Sequence, residues 1–366
     1  MGTINTVKGP ILPEKLGITT MHEHVFADLG DVFYIAPQDP ELRKYENSPV
    51  TMEILGLLRR NPSLTKQNCF INDEILSQKE LKYFKNLGGD SIVDVTLEGM
   101  NRNIKKLKQV SIKTGLNIIA ATGWYLYPTH PSYVEKKNIE ELSNIMIQDL
   151  TEGIENETEG TENSDIKAGV IGECGCSNIT TTPVPYHPQE KKVLQASAIA
   201  QSKTGAAFTI HPALIDVEKR IGSVQCAEVY LDLIENHGCD LTKLYLSHAD
   251  RTCIYPEYHH KLLERGITLG FDCFGKNYYW DVAYVGAGGR SDSERVTGIV
   301  NLCKIGFDKQ ITLAQDCCFK TDLRKYGGFG YSHILRSIIP MLKISGVSNK
   351  QINNMLVENP KRLLAF

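Results

Sequence analysis

Eight short apolar runs, each followed by a polar loop and then by a stretch of helical spacing, constrain this chain more than any other feature. They are GITTMHEHV (17–25), SIVDVTL (91–97), NIIAATG (117–123), AGVIGEC (168–174), AAFTIHP (206–212), LYLSHAD (244–250), TLGFDCF (268–274) and ITLAQD (311–316). Intervening segments such as QEKKVLQASAIAQSKTG and VQCAEVYLDLIENHG repeat apolar residues with the period of an α-helix. Strands joined through helices run parallel, and right-handed crossovers keep every helix on the same side of the sheet. Eight such units predict an α/β fold of the closed (β/α)8 type, a TIM barrel. An open doubly wound sheet is the alternative. Its first turn is glycine-rich, however, and HEHVFADLG after the first run is not. No internal repeat and no Pro/Ser-rich linker divides the chain, so residues 1–366 are expected to form one domain.

In a barrel of this kind the reactive groups stand at the C-terminal ends of the strands. The first run ends in His22 and His24, whose period-two spacing sends both imidazoles to one face. The fourth run ends in Glu173, the fifth in His211, the sixth in His248 and the eighth in Asp316. A single histidine at such a place is more often a hydrogen-bonded structural residue. Four imidazoles and two carboxylates converging on one mouth are a metal-ligand set.

Irregular sequence falls where a barrel tolerates it. Residues 27–78 contain Pro37, Pro40, Pro49 and Pro62 and read as a large excursion over one face; the acidic stretch 151–165 reads as a surface loop. Composition excludes other classes. The formal net charge of −3 recruits neither nucleic acid nor an acidic membrane, and no apolar run reaches the length of a membrane span. Ten cysteines are scattered without structural-zinc spacing, and the first residues lack a secretory apolar core, so a cytoplasmic protein with reduced thiols is expected. MGTINT fits the pattern for acylation at Gly2, but no basic cluster follows, and one acyl chain anchors only marginally.

The set HxH, Glu, His, His, Asp resembles the amidohydrolase superfamily and, more narrowly, the phosphotriesterase family. INTVKGP, TMHEH, AGVIGECGCS, KVLQASAIAQ, SHADRT, YGGFGYSHIL and VENPKRLLAF carry that resemblance from about Ile4 to Phe366. It implies a centre of two divalent transition-metal ions, with zinc suited to imidazole and carboxylate donors. His22, His24 and Asp316 would hold the inner ion and His211 and His248 the outer one. Glu173 and a hydroxide would lie between them, Glu173 standing where many relatives carry a carboxylated lysine. Asp316 would be the catalytic proton carrier.

The resemblance also implies hydrolysis of a small anionic N-acyl substrate, N-acetyltaurine or an N-acetyl amino acid, with oligomers a possibility for the assembly. A lactonase is the alternative, and a metal-bearing binding protein without turnover the second alternative. Arg251 stands where phosphotriester-cleaving relatives carry an acid, which argues against their proton relay. Gln315 and Cys318 flank Asp316 where the animal relatives carry histidines. The loops after the last three runs carry Arg251, Lys276, Arg290, Lys320, Arg324 and Lys325. Arginine matches a carboxylate or sulfonate two oxygens at a time, so Arg251 and Arg324 are the candidate anion binders. Tyr125, Tyr278, Tyr279 and Trp280 are candidate apolar walls.

Overall fold

The computed structural model describes residues 2–154, 164–177, 186–213, 226–279 and 289–366. Eight parallel strands form: β1 (Thr19–Glu23), β2 (Ser91–Asp94), β3 (Asn117–Thr122), β4 (Val170–Gly175), β5 (Ala207–His211), β6 (Leu244–Leu246), β7 (Thr268–Phe271) and β8 (Ile311–Leu313). Their order in the sheet follows the chain, each strand hydrogen-bonded in parallel to the next. The seam between β8 and β1 is bridged by the Asp316 amide, which donates to the His22 carbonyl at 3.1 Å. The Glu23 carboxylate spans the same seam, accepting from the amides of Gln315 and Cys317 at 3.0 and 3.2 Å. The sheet thus curls into the expected barrel. The acidic stretch (151–165) falls largely outside the described residues, and Trp280 lies wholly outside them.

Helices follow the strands as α1 (Glu74–Asn86), α2 (Ile104–Thr114), α3 (Ile139–Thr151), α4 (Pro188–Thr204), α5 (Cys226–Glu235), α6 (Pro256–Glu264), α7 (Asp292–Lys304) and α8 (Ile339–Ile344). Local sequence starts them. Asp73 and Asn103 accept the orphan amides of Leu76 and Lys106, and Asn138/Glu141 and Ser291/Glu294 close capping boxes on α3 and α7. Gly115 and Gly205 end α2 and α4 in the left-handed conformation that a side chain resists.

Alternation along the strands divides the core in two. Ile92, Ile118, Phe208, Leu244, Leu269 and Ile311 face outward and pack with Leu81, Leu107, Leu142 and Leu194 of the helices. Met21, Val93, Ile119, Val170, Ala207 and Tyr245 face inward and fill the barrel. No helix among the described residues is long and apolar enough to cross a membrane.

Four strands stop three or more residues before their apolar runs do: β2 at Asp94, β6 at Leu246, β7 at Phe271 and β8 at Leu313. The backbone leaves the extended region at two of these ends, where His248 and Asp316 take φ values of 57° and 50°. A left-handed backbone costs a non-glycine residue about 1–3 kcal/mol and persists only where the surroundings hold it. Here the His248 amide donates to Asp272, and the Asp316 amide donates to His22.

The excursion after β1 is built of short helical turns pinned at its base, where Ala27–Asp28 pairs antiparallel with Phe70–Ile71. It brings Leu29 and Phe33 over the mouth of the barrel.

Candidate metal centre

All six residues expected to converge do so. Three overlapping groups place their ligand atoms within 4.8 Å of one another: His22, His24 and Glu173; Glu173, His211 and His248; and His22, His248 and Asp316. Glu173 is common to the first two. One of its oxygens lies 3.4 Å from His22 Nε2 and 3.6 Å from His248 Nε2, and the other lies 3.4 Å from His24 Nε2. Asp316 Oδ1 lies 3.3 Å from His24 Nε2 and 3.8 Å from His22 Nε2.

The opposite nitrogens are tied back. His24 Nδ1 meets Thr96 Oγ1 at 2.9 Å, His22 Nδ1 meets Ser247 Oγ at 3.0 Å, and His248 Nδ1 meets Asp272 at 2.7 Å. Such partners fix ring orientation and turn the Nε2 lone pair toward the centre, as metal-binding histidines require. Asp272 sits one residue past β7, on a run where sequence reasoning marked no site residue. Only its place beside the sixth-strand histidine reveals its role.

Three buried atoms in this cluster have no hydrogen-bond partner: His22 Nε2, Glu173 Oε2 and His211 Nδ1. Orphaned buried polar atoms are costly, and three on residues of one buried cluster suit a cation held there. Electrostatics agree. Burial alone would raise Glu173, but His22, His24 and His248 outweigh it and hold its carboxyl well below the ordinary range. Burial would also raise Asp316, yet Lys276 and the histidines hold it far below. Burial pushes His211 down to about 3, keeping a lone pair available. His24 is the converse: burial opposes its charge, but Asp316 and Glu173 push it up to about 10. The carboxylates therefore demand positive charge at their centre, and protons on imidazole give way to a metal ion when one binds.

Glu23 points away from its histidine neighbours, as alternation requires, and its carboxylate clamps residues 315 and 317 on either side of Asp316. Lys276 is the largest surprise. One of six loop cations in the sequence, it is buried, and its Nζ donates to Asp316 Oδ2 at 2.7 Å and to Cys318 Sγ at 2.9 Å. Its loop is fixed from behind, since the Gly275 amide donates to Asp292 and Arg295 donates to the Lys276 carbonyl. Gln315 turns outward instead, donating to the Tyr331 carbonyl.

The cluster opens into a cavity of roughly 430 Å³, its open mouth included, to which Leu29, Phe33, Tyr125, Arg251, Lys276 and Phe319 contribute. Tyr125 stands edge-on to His211 with centroids 5.0 Å apart. Arg324 does not reach this cavity; its guanidinium stacks on Tyr83 of α1 at 3.7 Å. Tyr278 is turned away, its hydroxyl donating to Asp322, and Tyr279 is exposed.

A barrel mouth carrying converging imidazoles and carboxylates is the site of a metal-dependent hydrolase that uses divalent ions and acts on small molecules. Residues 2–364 match the Phosphotriesterase family, and the chain belongs to that family. It is 35% identical to a phosphotriesterase-related protein of Nematostella vectensis, over 100% of this chain and 99% of that protein. It is equally 35% identical to an N-acetyltaurine hydrolase of Xenopus tropicalis, over 100% and 98% of the two chains. Among solved structures, a resiniferatoxin-binding protein from Rhodobacter sphaeroides superimposes with a TM-score of 0.88 at 31% identity, covering 100% of this chain and 95% of that one.

Proposed function

We propose that this protein is an amidohydrolase that cleaves small N-acyl amines with an anionic tail, N-acetyltaurine to taurine and acetate foremost, and some N-acetyl amino acids. The observation that carries the reading is the pair of imidazole groups sharing Glu173, which suits two ions, zinc by donor type. The likeness to N-acetyltaurine hydrolases supports the choice of substrate. His22, His24 and Asp316 would hold one ion and His211 and His248 the other, with Glu173 between. The ions, when bound, supply Lewis-acid polarisation of the scissile carbonyl and bring the pKa of a water toward neutrality.

The chain's own residues do the rest. Lys276 holds Asp316 Oδ2, leaving Oδ1 turned to the histidines. From there Asp316 takes the proton of the attacking water and passes it to the leaving nitrogen; the acid formed gives its own proton to the amine, so that water and amide become carboxylate and ammonium. Arg251, set by the turn that follows His248, receives the anionic tail of the amine. The apolar walls exclude bulk water and strengthen these contacts. The nine free cysteines among the described residues are all buried, which fits reduced thiols in the cytoplasm.

Protein purified in metal-supplemented buffer should release acetate and taurine in equal amounts from N-acetyltaurine. Arg251→Ala is expected to raise KM for N-acetyltaurine about ten- to a hundredfold, the worth of one charge-assisted contact. The change in kcat should be smaller, since the contact is present in ground and transition states alike. Steady-state kinetics against a neutral N-acetyl amide check this. Equal effects on both substrates would place anion recognition elsewhere.

A further inference from the structure

The residues around the cavity are not mixed. Followed in strand order, one arc is charged: Arg251 after β6, Lys276 after β7 and Asp316 after β8. The arc that continues from it is apolar: Phe319 farther along the β8 loop, Leu29 and Phe33 after β1, and Tyr125 after β3, the two arcs meeting where Lys276 Nζ lies 5.1 Å from the Phe319 ring. Phe33 is the keystone of that arc, its ring 6.0 Å from Phe319 and 6.5 Å from Tyr125. Phe319 and Tyr125 are almost fully buried, whereas Phe33 is only partly so and forms the rim.

The segment carrying Phe33 is held down. The Leu29 amide donates to the Cys69 carbonyl, and Lys66 pairs with Asp31 and Glu46 at 2.8 and 3.1 Å. A Cβ on Gly30 would meet Lys66 Cβ at 3.1 Å, so the backbone there is seated close against its neighbour.

An amide bound with its carbonyl at the imidazole–carboxylate cluster has two ends to place. The leaving nitrogen must face Asp316, and its anionic tail is drawn to the charged arc. The acyl group is left to the apolar arc. Resting on the amidohydrolase reading above, we infer that Leu29, Phe33, Tyr125 and Phe319 form the acyl pocket and that Phe33 sets its depth, confining turnover to short acyl chains. The rim ring closes the pocket where a longer chain would pass between Tyr125 and Phe319. A methylene that fits such a wall favours binding, and one that meets a fixed ring is rejected by about ten- to two-hundredfold.

The test uses the full-length metal-loaded protein and two substrate series. One is taurine acylated with acetyl, butanoyl or hexanoyl groups; the other is the p-nitrophenyl esters of the same acids, which carry no anionic tail. The parent should favour acetyl over hexanoyl about tenfold or more in kcat/KM in both series. Phe33→Ala should raise the hexanoyl-to-acetyl ratio about tenfold or more, and Phe33→Trp should lower the butanoyl-to-acetyl ratio. Ratios that stay at the parent's value in both variants overturn the inference, as does a parent with no chain-length preference. If the taurine amides are not cleaved but the ester ratios move as described, the acyl pocket stands and the amidohydrolase reading falls. A parent inert toward both series overturns both.

Discussion

Asp316→Asn is expected to lower kcat by about 10²–10⁴, the worth of a positioned acid–base group. The substitution is nearly isosteric, so the turn at Asp316 and its amide bond to His22 can persist. What disappears is the negative charge that faces His24 on one side and Lys276 on the other. An amide neither accepts the proton of an attacking water nor returns it to a leaving amine. KM should change little, because the residues proposed to receive the anionic tail and the acyl group are others. Metal content, measured on the same preparation, separates loss of proton transfer from loss of a ligand. A variant that keeps its metal and the parental kcat would assign the proton to another group.

Glu173→Gln should lose one ion per chain and at least about a hundredfold in kcat/KM, since loss even of a group that only supports a ligand costs ten- to a hundredfold. Glu173 is 2% exposed and lies within 3.6 Å of three imidazoles. In the proposed centre its charge would offset two cations at once, and an amide would present an N–H₂ donor to one of them. Glu173→Lys is the informative companion, because carboxylation of the lysine would restore a bridging carboxylate and part of the activity. Elemental analysis alongside kinetics checks both. Full metal content and rate in Glu173→Gln would remove Glu173 from the bridge.

The fold was legible because a barrel repeats one pattern eight times, and each apolar run became a strand. The converging residues of the candidate centre were legible because strand ends can be read from where those runs stop. The strand ends themselves were misplaced at His248 and Asp316, which looked like the last strand residues. They instead turn left-handed, a backbone choice set by the acceptors Asp272 and the His22 carbonyl across the sheet. Partners from distant runs leave no local trace. Thr96 and Ser247 are ordinary strand-end hydroxyls until they meet His24 and His22.

Lys276 could not be told from five other loop cations, because its burial depends on Asp316 and Cys318 from the next strand's loop. Arg251 and Arg324 looked alike as anion binders. Only the folded chain stacks Arg324 on Tyr83 and leaves Arg251 at the cavity. Phe33 lay in an excursion without periodicity, where position over the barrel follows from long-range pairing of Ala27–Asp28 with Phe70–Ile71.

The most direct measurement is a zinc titration of chelator-treated protein, with bound metal and acetate release from N-acetyltaurine followed on the same samples. Binding should saturate near two ions per chain, as a shared-carboxylate site requires, with acetate release rising as the sites fill and vanishing when chelator is restored. Acetate release at full rate from protein carrying no transition metal, or saturating metal with no hydrolysis of any N-acyl amine, would contradict it.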